Sequence, residues 1–141
     1  RSTTETLVVA GQTWTPGAGG TFGQSVPAVS APELIGSTPR SIIGVREDLL
    51  FRTNLMLANG TESPVEVEVD LVAPDGTVLA HRSVPIGPAS FAQLGVAKDL
   101  GADQLPDASL VVSTRTPGGR FAAYASVIDQ TTGDPRTLLP R

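Results

Sequence analysis

From Val65 to Val84 the chain reads V-E-V-E-V-D-L-V-A-P-D-G-T-V-L-A-H-R-S-V, and through its first half apolar and charged residues alternate one for one. In an extended chain that order puts Val65, Val67, Val69 and Leu71 on one face and Glu66, Glu68 and Asp70 on the other. A helix, turning every ~3.6 residues, would mix the two sets around its circumference. The alternation stops at Ala73-Pro74-Asp75-Gly76. There proline presets φ, Asp75 can bond its own backbone, and Gly76 supplies a left-handed position before Thr77 restarts an extended run. The pattern predicts a β-hairpin with one buried face and a solvated acidic outer face.

Shorter runs extend the same reading along the chain. Leu7-Val8-Val9-Ala10 is expected as a first strand, and Ser41 to Val45 as another, ended by the charged corner Arg46-Glu47-Asp48. Phe51 to Ala58 alternates Phe51, Thr53, Leu55 and Leu57 against Arg52, Asn54 and Met56, and Asn59-Gly60 signals a turn. Phe91 to Leu94 is a short extended run, Val96 to Leu100 one helical turn stopped by Gly101. Ser109–Thr114 and Phe121–Ile128 are predicted to pair as a second hairpin through Pro117-Gly118-Gly119, with Leu138-Leu139 closing the fold. Gln12 to Pro39 is rich in Gly, Pro, Ser and Thr, so it is expected to be long and irregular, pinned by anchors such as Trp14 and Phe22.

These elements predict an all-β fold, an antiparallel immunoglobulin-like β-sandwich of about seven to nine short strands with a long irregular N-terminal segment. The expected organisation is one domain over 1–141: an N-terminal strand in 1–11, the irregular segment in 12–40 and the sandwich core in 41–141. Composition agrees: 141 residues suit one core, 40% are hydrophobic, and 15 Gly and 12 Pro supply many turns.

Charge narrows the partners. A net charge of −4 and a single lysine, Lys98, with arginines scattered singly, argue against nucleic acid and against a polybasic membrane patch. No apolar run approaches the ~20 residues of a membrane helix, so membrane insertion is not expected. Cysteine is absent, which removes thiolate catalysis, disulfides and Cys-based metal sites. A lysine-poor, Thr/Ser/Gly-rich β chain of this kind fits export, and Arg1 in place of a methionine leads us to expect a processed chain.

Candidate chemistry is sparse, and no catalytic residue, cofactor or firm metal site is expected. His81, the one histidine, lies in the second arm of the hairpin without a G-x-S-x-G elbow to complete a triad. Asp129 and Asp134 in the D-Q-T-T-G-D-P loop are weak metal candidates, against the simpler reading that they form Asx-type turns. Glu47 and Asp48 with Arg46 and Arg52 read as a charged corner with ion pairs. Glu66, Glu68 and Asp70 stand ~7 Å apart along a strand, yet on an open face. Trp14, Phe22 and Tyr124 could form a sugar platform, although each reads more simply as a core or loop anchor.

Taken together, Gly20-Thr21-Phe22-Gly23-Gln24-Ser25-Val26-Pro27-Ala28, Gly44-Val45-Arg46-Glu47, Phe51-Arg52-Thr53-Asn54-Leu55, Asp75-Gly76-Thr77, Ala123-Tyr124-Ala125-Ser126-Val127-Ile128-Asp129 and Thr132-Gly133-Asp134-Pro135 give the chain a recognisable outline. It resembles an accessory β-sandwich domain that recurs in large secreted bacterial proteins, over residues 20–140. Leu7-Val8-Val9 and Trp14 depart from the more polar entry strand of that pattern. The resemblance implies an exported accessory module and carries over no catalytic residue. Arg52 and Asn54 are expected to bond the Asp129–Asp134 loop or the Gly20–Pro27 segment.

The function expected from the sequence is a non-enzymatic, extracellular structural or adhesive module acting on a protein partner or by self-association. Leu7, Val9, Trp14, Phe22, Arg52, Asn54 and Tyr124 are its interaction candidates. The alternatives are a filament subunit that donates Thr3–Ala10 to a neighbour's sheet, and a carbohydrate-binding or calcium-dependent module.

Overall fold

The computed structural model describes residues 9–17, 19–102 and 104–141. Eight strands make two antiparallel four-stranded sheets packed face to face, an immunoglobulin-like β-sandwich in architecture. A two-stranded hairpin is added to it, β1 (Ala10–Gly17) and β2 (Gly20–Pro27). The strands of the sandwich are β3 (Arg40–Glu47), β4 (Phe51–Asn59), β5 (Val65–Val72), β6 (Val78–Ile86), β7 (Ser90–Gly95), β8 (Leu105–Thr114), β9 (Ala122–Asp129) and β10 (Pro135–Leu138). Sheet I has the order β10-β9-β4-β7, and sheet II the order β3-β8-β5-β6.

Alternation decides which residues face inward. Val65, Val67, Val69 and Leu71 of β5 meet Leu55 and Leu57 of β4 and Ala123 and Ala125 of β9 in one aliphatic layer. Ile42, Val45, Leu110 and Val112 complete it from sheet II. Phe121 is the one aromatic fully buried in that layer, so the two sheets are held mainly by Val, Leu, Ile and Ala. Each such side chain contributes ~1.5–3 kcal/mol when taken out of water, alanine less.

The hairpin expected at Val65–Val84 is present as β5–β6, with Leu71 opposite Ala80 and a bulge before Val72 opposite Val78. Its turn is closed by Gly76 N–H donating to Ala73 O at 2.9 Å, while Asp75 Oδ1 accepts from Thr77 N–H and Gly76 has φ +88°. The short helix α1 (Val96–Leu100) ends at Gly101 in the left-handed region, φ +69°, as its sequence implied.

Three expectations require correction. The first strand among the described residues is Ala10–Gly17. Val9 precedes it, and Leu7 and Val8 lie outside the described residues. The segment 12–40 is ordered into the β1–β2 hairpin and a 3-10 turn at Ala31–Glu33, because Thr, Val, Phe and Trp among its glycines suffice for a ladder that runs unbroken from Ala10↔Pro27 to Gly17↔Gly20. Third, Pro117-Gly118-Gly119 does not close a hairpin. β8 and β9 lie in opposite sheets, since both bury an alternating apolar face and the two faces meet across the core. Phe121 pairs with Ile35 instead, through N–H···O bonds of 2.8 and 3.1 Å.

The β4–β5 connection rests on a buried amide. Asn59, 2% exposed, directs its side-chain N–H groups at the carbonyls of Ser63, Ile86 and Gly87, and its Oδ1 accepts from Thr61 N–H and Oγ1. Truncation would leave these buried groups without partners. Asn59→Ala is therefore expected to lower unfolding free energy by about 2–3 kcal/mol in urea titration, with an unchanged m-value.

Candidate functional site

The outward face of sheet I is the complement of its buried face. In register, Arg52 stands beside Ile128, Asn54 beside Ser126, Met56 beside Tyr124 and Ala58 beside Ala122, and β7 adds Gly95, Gln93 and Phe91 to the last three rows. The β1–β2 hairpin lies over the β9–β10 side of this face. Gln24 Oε1 accepts from Ser126 Oγ at 2.9 Å and lies 3.3 Å from Thr137 Oγ1, which also reaches Ser25 O at 3.1 Å. Ser126 is buried by this contact, 4% exposed.

Phe22 supplies the apolar part of the anchor. Its ring occupies the space a side chain on Gly17 would need, since a Cβ there would come within 2.4 Å of the ring, and the Gly133 position lies 3.7 Å away. Gly23, directly across from Trp14, is constrained in the same way: a Cβ would lie 2.4 Å from Thr13 O and 2.9 Å from Trp14 Cβ. Glycines at 17 and 23 thus make room where a side chain would clash, while Gly133 is in ordinary contact distance of the Phe22 ring.

Covering half of a four-stranded face leaves grooves beside the cover. The first, about 640 Å³, is lined by Val26, Leu34, Met56, Phe91, Tyr124 and Leu139 and is almost wholly apolar. Phe91 is 71% exposed on its rim. A second, about 370 Å³, contains Trp14, Phe22, Gln24, Arg52, Ser126 and Ile128. A third, about 310 Å³, continues past Arg52 to Asn54, Gln93, Lys98, Asp99 and Glu47.

The structure brings most of the interaction candidates to one face. Trp14, Phe22, Arg52 and Tyr124 line the first two grooves, and Asn54 the third. Phe22, expected as a core or loop anchor, is a half-buried residue of strand β2 that packs against Gly17, whereas Trp14 is 67% exposed and anchors nothing in the core. Val9 is exposed ahead of β1, and Leu7 lies outside the described residues. Among the described residues no hydrogen bond runs from the Arg52 or Asn54 side chain to the 129–134 loop or to the hairpin. Gln24, Ser126 and Thr137 make that connection, and the alternation of Phe121–Ile128 already put Ser126 on the outward face. Alternation along Phe51–Ala58 already put Met56 on the outward face, whereas Phe91 was legible only as a strand residue.

The Asp129–Asp134 loop is a turn. Asp129 Oδ1 accepts from Thr131 N–H at 2.7 Å and Thr132 N–H at 3.1 Å, and Gln130 N–H donates to Leu50 O. Asp134 closes the loop through its backbone, with Asp129 N–H donating to its carbonyl. Among the described residues no group of three or more His, Asp or Glu is arranged to hold a metal ion.

The acidic row of β5 is not uniformly solvated. Glu68 is only 8% exposed, because His81 Nε2 reaches its Oε2 at 3.0 Å while Nδ1 meets Asp70 Oδ1 at 2.6 Å, and Ser83 Oγ donates to Glu66 at 2.8 Å. His81 is a strand histidine, as expected, clamped between two carboxylates that its sequence neighbours did not reveal.

At the end of the third groove, Glu47 is 8% exposed. Burial raises its carboxyl above the ordinary glutamate value, opposed by N–H groups of Thr53, at 2.8 Å, and Ala97 and by the Arg52 charge. Asp48 moves the other way, held down chiefly by Leu50 N–H and further by Phe51 N–H and Arg46, which lies 3.0 Å away. Arg46 also stacks 3.9 Å over Phe51.

No protein-family model matches the sequence, and no curated protein does. Among solved structures the chain is similar to that of Thermotoga maritima 1070, with a TM-score of 0.57 over 75% of this chain and 91% of that one, at 15% identity. A likeness at that identity speaks to the fold alone.

Two outcomes follow from this geometry. Gln24→Ala is expected to release the hairpin without unfolding the sandwich: hydrogen-exchange protection in β1 and β2 falls while global stability changes by about 1 kcal/mol or less. Glu47, with its folded value above the unfolded one, contributes stability below the ordinary glutamate pKa that is lost as pH rises through the folded value. Glu47→Gln therefore flattens that decline in stability-versus-pH curves, and side-chain NMR finds Asp48 titrating below Glu47.

Proposed function

We propose that this domain is a non-enzymatic, extracellular module that binds a protein partner through the open half of the outer face of sheet I, in a structural or adhesive role. The observation that carries the reading is the apolar groove of about 640 Å³ beside Met56, Tyr124 and the exposed Phe91. A concave apolar surface with two aromatic side chains and a polar surround fits protein contact. Tyr124 is the one titratable side chain that lines it, and Glu47 lies at the far end of the face and His81 on the other sheet, so acid, base and nucleophile do not converge there. Export rests on the resemblance to domains of secreted bacterial proteins and on the cysteine-free, lysine-poor composition.

A carbohydrate-binding role is the second reading, favoured by the 67% exposure of Trp14 beside a groove holding Arg52 and Gln24. The donor-strand arrangement is less favoured, because Ala10 pairs with Pro27 of its own chain. The calcium version is also less favoured, since backbone N–H groups already engage Asp129 Oδ1.

Peptide-display selection against the wild-type domain tests the first reading. Selected peptides are expected to be rich in apolar residues and to bind Phe91→Ser and Tyr124→Ser about tenfold or more weakly, with melting temperatures preserved. Peptides indifferent to both substitutions would count against the groove. Glycan-array binding abolished by Trp14→Ala would move the assignment to the second reading.

A further inference from the structure

We infer that the outer edge of β1 pairs antiparallel with the same edge of a second copy of this chain, joining two hairpins into a continuous β2-β1-β1-β2 sheet. The inference concerns a different surface from the groove above and stands independently of it.

Natural proteins blunt the edges of their sheets with charge, proline, bulges, shortness or a cover, and most edges of this molecule are blunted in one of these ways. β10 is four residues long, begins with Pro135 and carries Arg136. β7 is six residues long and lies against α1. β3 has two register breaks and carries Arg40, Arg46 and Glu47. β6 holds His81, Arg82 and Pro85 and has a register break of its own. On the far side of β2, the Thr137 hydroxyl bonds Ser25 O.

β1 is different. It runs eight residues, A-G-Q-T-W-T-P-G, with every residue exposed, no charged side chain and an unbroken register. Its one guard is Pro16, and the place for a proline in a paired strand is where its missing N–H would face outward. Gln12 and Trp14, four and two residues earlier, turn their N–H and C=O groups to that same free side. Among the described residues those groups have no ladder partner.

Self-pairing fits this edge better than a generic partner does. An antiparallel pair of identical strands is self-complementary about a two-fold axis. Because neither β1 nor β2 carries a charge, two copies meet without like-charge repulsion despite a net charge of −4 on each chain. The hairpin is also held to sheet I by side chains of β2, so β1 can accept a neighbour without giving up its anchor.

Sedimentation velocity of the whole domain, from micromolar to millimolar, is the test. The expected result is a monomer–dimer equilibrium in which the Gln12 and Trp14 amides gain exchange protection with concentration. Gln12→Pro, which removes an outward N–H, and Gln12→Lys, which keeps the N–H and adds the guard found on natural edges, should each weaken the dimer about tenfold or more. The lysine variant decides if the proline variant fails to fold. A monomer throughout overturns the proposal, and so does an open series of larger species. A dimer indifferent to both substitutions also overturns the proposal, since its contact would then lie elsewhere than on β1.

Discussion

The structure depends on burying one aliphatic layer between two sheets. Valine, leucine and alanine of β4, β5, β8 and β9 fill it together with Ile42 of β3 and Ile86 of β6, and only Phe121 brings an aromatic ring inside. Branched aliphatic side chains have few rotamers and pack without polar atoms to satisfy, so strict alternation on each strand is enough to build the layer. Chain order then follows. β3 to β4, β4 to β5, β6 to β7, β7 to β8 and β8 to β9 each pass from one sheet to the other, because consecutive strands with an inward face can share the core without sharing a ladder.

The outer surfaces are governed by a different constraint. A sheet face that is not buried must be solvated, covered or used. Sheet II solvates its face, with His81 and Ser83 tying down the carboxylates of β5. Sheet I covers half of its face with the β1–β2 hairpin, held by one amide, two hydroxyls and one ring set among glycines. The uncovered half, from Arg52 through Met56 to Phe91, is where the molecule presents apolar surface.

Much of this was legible in the sequence. The β5–β6 hairpin, the two faces of β4 and the stop of α1 at Gly101 follow from local pattern and turn chemistry. The β1–β2 hairpin was not legible, because glycine and threonine weaken the alternation signal and the strands are fixed by contacts with distant residues such as Ser126 and Thr137. Nor was the crossing at Pro117–Gly119: a turn sequence specifies that the chain reverses, but not whether the returning strand pairs or passes to the opposite layer. Of the candidate site, Trp14, Phe22, Arg52, Asn54 and Tyr124 could be listed from the sequence, while their gathering on one face required the register. Glu68 shows the limit most clearly, since its burial depends on His81 from the neighbouring strand.

The near absence of aromatics from the interior has a spectroscopic consequence. Trp14 stands on the hairpin and Tyr124 on the outer face, so intrinsic fluorescence and near-ultraviolet dichroism watch the periphery, while the core that defines folding is optically almost dark. Heated or denatured, this protein can lose its fluorescence signature with the sandwich intact, and the two signals coincide only if the hairpin and the core melt as one cooperative unit.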